Sequence, residues 1–383
     1  MRVLVLGTTG YLGRHVVERL ESLADVRLLS GGRGPDAGLR VDLGSADAHE
    51  LADSLREFGP DVVINCVGAV GGDPVTLAEV NARGPAVLVA ALHRAAPGAR
   101  LIHLGSAAEY GPTSHGIRVT ETDPTRPVGV YGATKLAGTV TVAASGLDAV
   151  VLRIGNPVGP GAPSAGLPGR FARNLLAAGT DPDAVIRLGD LSSYRDFVDT
   201  RDVAEAVALA TTASGPLPPV LNVSGGRALP VRELVQELVR ISGFRGRVEE
   251  STQEASERSA EVSWQCSDIT STGSALGWRP RHSLEDAARA LWESVREEAR
   301  PESAPPGRPP VHVTASAPRS GSEAGGASPV RPRTASGHTP GARFAGHADA
   351  HTPGPTVHSR TESHTRGPRA GTPARAPRPD APR

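Results

Sequence analysis

The chain of 383 residues sets 41 Lys+Arg against 41 Asp+Glu, a formal net charge of zero, and only 3% of it is aromatic. That balance argues against a strongly basic nucleic-acid binder, and two cysteines, Cys66 and Cys266, exclude a disulfide framework or a cysteine-rich metal site. No apolar run approaches the ~20 residues of a membrane span. Arg2 to Leu6 already reads as a strand, so no signal peptide is expected. The expectation is a cytoplasmic protein with no metal, nucleic-acid or membrane partner.

Composition divides the chain near residue 300. Of its 34 prolines, 16 fall in residues 301–383, where Phe344 is the single aromatic and Ile, Leu, Met, Trp and Tyr are absent. Such a segment cannot bury enough apolar surface to offset the entropy of ordering, so a disordered tail is expected. The tail carries 11 Arg against 5 Asp+Glu, a net of +6 that leaves −6 on the first 300 residues. Those 300 suffice for one α/β domain with a smaller lobe. The expected division is residues 1–155 as a dinucleotide-binding core, 156–300 as mainly a substrate lobe with elements returning to the core, and 301–383 as tail.

Val3-Leu4-Val5-Leu6 reads as a strand buried on both faces. It runs into Gly7-Thr8-Thr9-Gly10-Tyr11-Leu12-Gly13, and Arg14 to Leu23 then shows helical spacing. Strand, glycine turn and helix form the context of a dinucleotide site, in which a pyrophosphate rests on the helix N-terminus. The candidate cofactor residues here are Gly7, Gly10, Tyr11, Leu12, Gly13 and Arg14. A second strand, Val26 to Leu29, ends at Ser30, where an NAD site places an acid for the adenosine ribose. Ser30 and nearby Arg33 favour NADP(H) over NAD(H), with Arg14 a second candidate for the 2′-phosphate, while the missing acid and a flexible loop expected at Gly31-Gly32 argue for a loosely held dinucleotide.

Val41-Asp42-Leu43 ends another short strand, which places Asp42 and Leu43 near the adenine. Ala48 to Phe58 reads as a helix, Asp61 to Cys66 as a buried strand, and Val67-Gly68 as a small-residue turn beside the cofactor. Cys66 reads as a core thiol. Val75 to Ala96 reads as one helix with Asn81 inside it, and Leu101 to Leu104 as the next strand. This βαβα alternation predicts a doubly wound parallel sheet. Ser106 follows that strand, at the carboxyl edge where such sheets bind ligands.

Tyr131 and Lys135 lie at i and i+4, on one face of a helix. A fixed ammonium favours a phenolate, so the pair forms a general acid/base for an alcohol and carbonyl couple. Lys135 is the only lysine in the chain; the other 40 of the 41 Lys+Arg are arginine. A guanidinium does not mimic a compact ammonium, and the lone lysine marks this pair out from a chance match. Ser106, 25 residues earlier, is placed to hold a substrate oxygen while Tyr131 moves the proton.

The glycine turn, Ser106 and Tyr131-Gly132-Ala133-Thr134-Lys135 resemble the extended short-chain dehydrogenase/reductases, the NAD-dependent epimerase/dehydratase family. Leu152 to Gly161, Arg195-Asp196-Phe197-Val198-Asp199 with Asp202-Val203, and Leu276-Gly277-Trp278-Arg279-Pro280 are similar to further motifs of that family, over roughly residues 1–298. The resemblance implies a Rossmann core, a nucleotide-sugar substrate and a homodimer. It implies Ser106, Tyr131 and Lys135 as catalytic, Lys135 also holding the nicotinamide ribose, and Asn156 and Arg195 meeting the diphosphate. A salt bridge from Arg195 to Asp196 or Asp199 is the competing reading. Thr139 stands where the family often has Glu, and Ala107-Ala108 replace the Asp-Glu of its dehydratases, which argues against dehydration.

Gly105 to Gly111 and Ile186 to Leu191 look most like the nucleotide-sugar 4-ketoreductases that act on GDP-6-deoxy-4-ketomannose. The expected activity is therefore NAD(P)-dependent reduction of a nucleotide-linked 4-keto-6-deoxyhexose. A 4-epimerase of the same family is the alternative among enzymes, and a non-catalytic NAD(P)-binding sensor the alternative of another class.

Overall fold

The computed structural model describes residues 1–251 and 262–300. The disorder expected for 301–383 falls outside the described residues. The first half of the chain alternates strand and helix. It comprises β1 (Arg2–Leu6), α1 (Tyr11–Glu21), β2 (Arg27–Gly32), β3 (Leu39–Arg40), α2 (Ala48–Phe58), β4 (Val62–Asn65), α3 (Pro74–Ala78), α4 (Gly84–Ala95), β5 (Arg100–Ser106), α5 (Val130–Ala143) and β6 (Ala149–Ile154). Then follow β7 (Asn156–Val158), α6 (Leu167–Ala178), β8 (Val185–Leu188), β9 (Tyr194–Asp199), α7 (Thr200–Thr212), β10 (Val220–Val223), β11 (Ala228–Pro230), α8 (Val231–Ser242), β12 (Arg247–Glu250), α9 (Thr270–Leu276) and α10 (Leu284–Glu298).

Seven strands form one sheet in the order β3-β2-β1-β4-β5-β6-β10, and every pairing in it is parallel. Alternation along β1 explains why both faces carry helices. Val3 and Val5 pack with Val16 and Leu20 of α1 and Val203 and Val207 of α7. Leu4 and Leu6 turn to the other face, with Leu51 and Leu55 of α2 and Leu88 and Leu92 of α4. A separate core joins Phe171 and Leu175, Leu234 and Leu238, and Leu291 and Trp292, one pair each from α6, α8 and α10. Beside it lie the small sheets β11-β9-β7 and β12-β8.

Two late motifs turn out to bind each other. The Trp278 indole donates to the carbonyl of Asp202 at 2.9 Å, while the Asp202 carboxylate accepts from the Arg281 and His282 amides, each at 3.0 Å. The pair fastens the C-terminal segment to α7.

Three local expectations need correction. β2 does not stop at Leu29 but runs to Gly32, with Gly31 opposite Leu6 in register. A Cβ on Gly31 would stand 2.5 Å from Leu6 Cδ2, so the glycine makes room for a core leucine and Gly31-Gly32 is strand, not flexible loop. The short third strand is Leu39–Arg40, and Val41 to Leu43 follow it. The helix expected over 75–96 is interrupted by a π-helical turn, Glu79–Arg83, between α3 and α4. Pro74–Ala95 as a whole is long and apolar enough to cross a membrane by length and composition. Leu77, Asn81, Leu88 and Leu92 along it are nonetheless buried in the protein, as in a core helix.

Candidate active site

Where the carboxyl end of the sheet meets α5, small residues bring backbone and side chains into contact. A Cβ on Gly132 would lie 2.6 Å from the Ala108 carbonyl oxygen, so α5 rests directly on the turn that follows Ser106. One helical turn on, Lys135 is 4% exposed and its Nζ donates to the carbonyl of Leu104. Tyr131 and Lys135 therefore share the α5 face that meets the end of β5, where Ser106 closes the strand and its Oγ accepts from the Ala108 amide. Burial lowers the Lys135 ammonium to about 8, while the carboxylate of Glu109 acts to raise it.

The cofactor candidates from the glycine turn and β4 converge on the same lysine. Gly7, at φ 84°, adopts a left-handed conformation that favours glycine, and a Cβ there would come within 3.1 Å of Val67 N. On Gly68 a Cβ would be 3.6 Å from Asn81 Oδ1 and 3.8 Å from Lys135 Nζ. A Cβ on Gly13 would stand 2.0 Å from the Gly7 carbonyl oxygen, so α1 can approach β1 only through a glycine. Gly10 caps α1 with no side-chain acceptor, which leaves the first amides of the helix for an anion. These features fit a nicotinamide dinucleotide with its pyrophosphate at α1.

The other cofactor candidates sit differently. The Tyr11 hydroxyl donates to the Pro157 carbonyl at 3.3 Å, and Leu12 packs against the core of that face. Arg14 reaches back to the carbonyls of Gly10 and Thr9 and lies close to Gly161. Arg33 is exposed just beyond β2, and Ser30 Oγ accepts from the Gly38 amide at 3.1 Å. Asp42 accepts from the Gly44 amide at 3.1 Å while Leu43 is buried.

In the lobe, Asn156 pairs with Phe197 across β7 and β9, and Arg195 lies two residues before that partner. Asn156 Oδ1 is buried with no hydrogen-bond partner among the described residues. Arg195 donates to the carbonyls of Tyr194 and Val262, each at 2.8 Å, and burial lowers its pKa. The competing salt bridge is not found. Asp199 caps α7 and pairs with Arg201 at 2.7 Å, and Asp196 accepts from the Ser267 amide at 2.8 Å. Burial pushes Asp196 up to about 6. Tyr194 packs with Trp264 and His115, its ring 5.2 Å from each.

Sequence reasoning missed two groups. Asn81, in the π-helical turn, joins the Val67-Gly68 loop to α5. Its Oδ1 accepts from the Ala69 amide at 2.9 Å, and its Nδ2 donates to Thr134 Oγ1 at 3.3 Å. Beneath Ser106, Glu109 is fully buried. Its Oε1 accepts from the Ser106 amide at 2.7 Å and from Thr139 Oγ1 at 2.9 Å, and its Oε2 pairs with Arg153 Nε at 2.8 Å. The Ser-x-x-Glu capping-box spacing was the signal that could have found it. Elsewhere, Cys66, expected as a core thiol, is half-buried at the edge of one core, where burial pushes its thiol up to about 12.

The known proteins that the chain is similar to are nucleotide-sugar enzymes. The chain is 37% identical over 302 residues to dTDP-6-deoxy-L-talose 4-dehydrogenase (NAD(P)(+)) of Kitasatospora kifunensis, covering 76% of this chain and 94% of that one. It is 27% identical to GDP-6-deoxy-D-mannose reductase of Pseudomonas aeruginosa, covering 78% and 99%. Among solved structures, UDP-glucose 4-epimerase of Thermus thermophilus in complex with NAD superposes with a TM-score of 0.65 at 27% identity, covering 77% and 99%. The model of the NAD dependent epimerase/dehydratase family matches residues 3–224, the span from β1 to the end of the parallel sheet. On that match and on its 37% identity to the dehydrogenase, the chain belongs to the NAD dependent epimerase/dehydratase family.

Proposed function

We propose that the protein is an NAD(P)-dependent oxidoreductase that reduces the C4 ketone of a nucleotide-linked 4-keto-6-deoxyhexose, and oxidises the alcohol in reverse. The observation that carries this is the chain's only lysine, buried against the Leu104 carbonyl on a helix that rests on the turn after Ser106. When bound, the dinucleotide supplies the hydride. Ser106 Oγ and the Tyr131 hydroxyl hold the C4 oxygen, and Tyr131 gives it a proton. Lys135 favours the phenolate of Tyr131 by its charge and holds the nicotinamide ribose. Gly7, Gly10 and Gly13 let the pyrophosphate approach the amides of α1.

Arg195 and Asn156 fit the substrate diphosphate. The first is a half-buried cation that pairs with no carboxylate among the described residues, and the second stands on the neighbouring strand, paired with Phe197 across β7 and β9. Arg195 supplies the charge-assisted fork, and the Asn156 amide supplies donors beside it. Between the two relatives, the greater identity to the dehydrogenase of a dTDP-linked sugar favours deoxythymidine diphosphate over GDP. NADP(H) remains the favoured cofactor, since β2 ends without a carboxylate and Arg33 is exposed beside it.

An epimerase would use the same residues. The glycine pair after Ser30 no longer argues for loose cofactor binding, because it is strand. The missing acid at Ser30 and the 37% identity to a dehydrogenase still favour net oxidation and reduction. A sensor without turnover has no need of Ser106, Tyr131 and Lys135 together.

Purified protein should carry little bound nicotinamide. Given dTDP-6-deoxy-L-talose and NADP+, it should form reduced cofactor in step with ketone. Protein that arrives saturated with NAD and equilibrates two 4-epimers without added cofactor would overturn the reading in favour of the epimerase. A preference for NAD+ in kcat/KM would remove Arg33 from the cofactor site.

A further inference from the structure

Glu109 takes no part in the chemistry described above, yet it is the most enclosed charge near it. It lies 0% exposed, Arg153 is 5% exposed, and the two carboxylate oxygens of Glu109 between them meet three donors from three elements. The Ser106 amide comes from the end of β5, Thr139 Oγ1 from α5 and Arg153 Nε from β6. Gly105 admits the carboxylate under the strand, because a Cβ there would stand 2.9 Å from Glu109 Oε1. Arg153 is itself held from its far side. Its guanidinium lies 4.6 Å over the Tyr110 ring, whose hydroxyl donates to Asn222 Oδ1 of β10 at 2.8 Å.

We propose that Glu109, braced by Arg153 and Thr139, is a positioning residue that fixes the backbone of Ser106 against α5 and supports the charge of Lys135. The inference rests on the catalytic reading of Ser106, Tyr131 and Lys135. Geometry makes the first part specific. The Oε1 atom that takes the Ser106 amide also takes Thr139, one helical turn beyond Lys135, so a single atom sets the spacing between the strand end and the catalytic helix. The second part rests on the same strand end, where Lys135 Nζ holds the Leu104 carbonyl and Glu109 the Ser106 amide two residues on, and electrostatics supports it. Lys135 is faced by Glu109 from the turn, by Cys66 just after β4 and by His103 from β5. Burial pushes the thiol up and the imidazole far down, and Glu109, paired with Arg153 at 2.8 Å, is the first of the facing groups that act to raise Lys135.

The test compares the full-length protein with Glu109→Gln, Glu109→Gln/Arg153→Met and Ser106→Ala. Rates of NADP+-dependent oxidation of dTDP-6-deoxy-L-talose are followed from pH 6 to 10, with melting temperature and NADPH binding read on the same samples. The double variant also removes the Arg153 guanidinium that Glu109→Gln would strand in the interior, so it keeps the fold if Glu109→Gln alone does not. In whichever glutamine variant folds, kcat should fall on the order of tenfold with KM changed less than about twofold. The basic limb of the profile should move to lower pH, since the carboxylate no longer supports the ammonium. A folded variant with parental kcat and an unmoved basic limb overturns the inference, whatever its melting temperature, and reduces Glu109 to packing. If instead Ser106→Ala keeps parental turnover, the catalytic reading itself has failed.

Discussion

Gly10 and Gly13 belong to one motif, and the structure assigns them separable roles. Replacing Gly13 by alanine places a Cβ 2.0 Å from the Gly7 carbonyl oxygen and 2.9 Å from its carbon, where ordinary contact begins at 3.4 Å. The obstacle is backbone, and Gly7 cannot retreat freely. Its amide donates to the Gly31 carbonyl at 2.8 Å, and its own carbonyl accepts from the Gly10 amide at 3.0 Å. Overpacking of a well-filled site costs roughly 1–3 kcal/mol, and backbone on both sides argues for about 3. For a folded part of about 300 residues that lowers the melting temperature by roughly 5 °C. In Gly10→Ala the new Cβ would meet the same oxygen at 3.1 Å, which a shift of a few tenths of an ångström relieves. Its stability should fall by less than about 1 kcal/mol. Its NADPH affinity should fall about tenfold or more, because the methyl stands where the pyrophosphate must approach. Thermal melts followed by circular dichroism, with NADPH fluorescence titrations on the same samples, separate the two effects. A Gly13→Ala protein that melts like the parent would refute the packing argument. A Gly10→Ala protein that binds NADPH like the parent would refute the assignment of the turn.

Tyr131→Phe removes the proton and should cost roughly 10²–10⁴-fold in kcat while the melting temperature holds; Lys135→Arg, which keeps charge but not geometry, should also lose most turnover, and near-parental rates in either would end the catalytic assignment. Lys135, lowered to about 8, should lose its charge as pH rises through that value, so kcat/KM of the free enzyme should fall on the alkaline side of pH 8. Stability should move the other way: between about 8 and the ordinary 10.5 the unfolded chain binds the extra proton, so this group's contribution rises with pH, and a profile flat in both respects to pH 10 would contradict the burial of Lys135. Arg195→Met should keep the melting temperature within a few degrees, since no described carboxylate loses a partner, yet raise KM for the nucleotide sugar about tenfold or more; an unchanged KM would take Arg195 out of the substrate site.

Most of the parallel sheet was legible because its strands are short apolar runs and its helices keep amphipathic spacing. β1 and α2 coincide with the expected bounds. The failures have tertiary causes. Ser30-Gly31-Gly32 reads locally as a turn, and only the Leu6 side chain from the neighbouring strand explains why glycine continues β2. The π-helical turn around Asn81 has no local signature either. It depends on Gly138 of α5, where a Cβ would come within 2.3 Å of the Asn81 carbonyl oxygen. That contact spans 57 residues of sequence, and no window of periodicity reaches so far.

The candidate site divides along the same line. Tyr131 and Lys135 could be read because a helix converts a spacing of four into one face. Glu109, Thr139 and Arg153 could not be read as a set, since their contacts join residues 30 and 44 apart. Arg195 shows the converse, in which nearness in sequence offers a salt bridge as the competing reading and the strand forbids it. In β9, successive side chains point to opposite faces, so Arg195 and Asp196 diverge. Asp199, four residues on, lies about 13 Å further along the strand and serves α7 instead, as its N-cap. Both carboxylates are thus spent on backbone amides and Arg201. A guanidinium followed by two acids in the sequence reaches the folded state half-buried, bonded to carbonyl oxygens. Among the described residues no carboxylate compensates that charge, which is the condition the proposed anionic substrate needs, and it arises from β alternation rather than from the residues' identities.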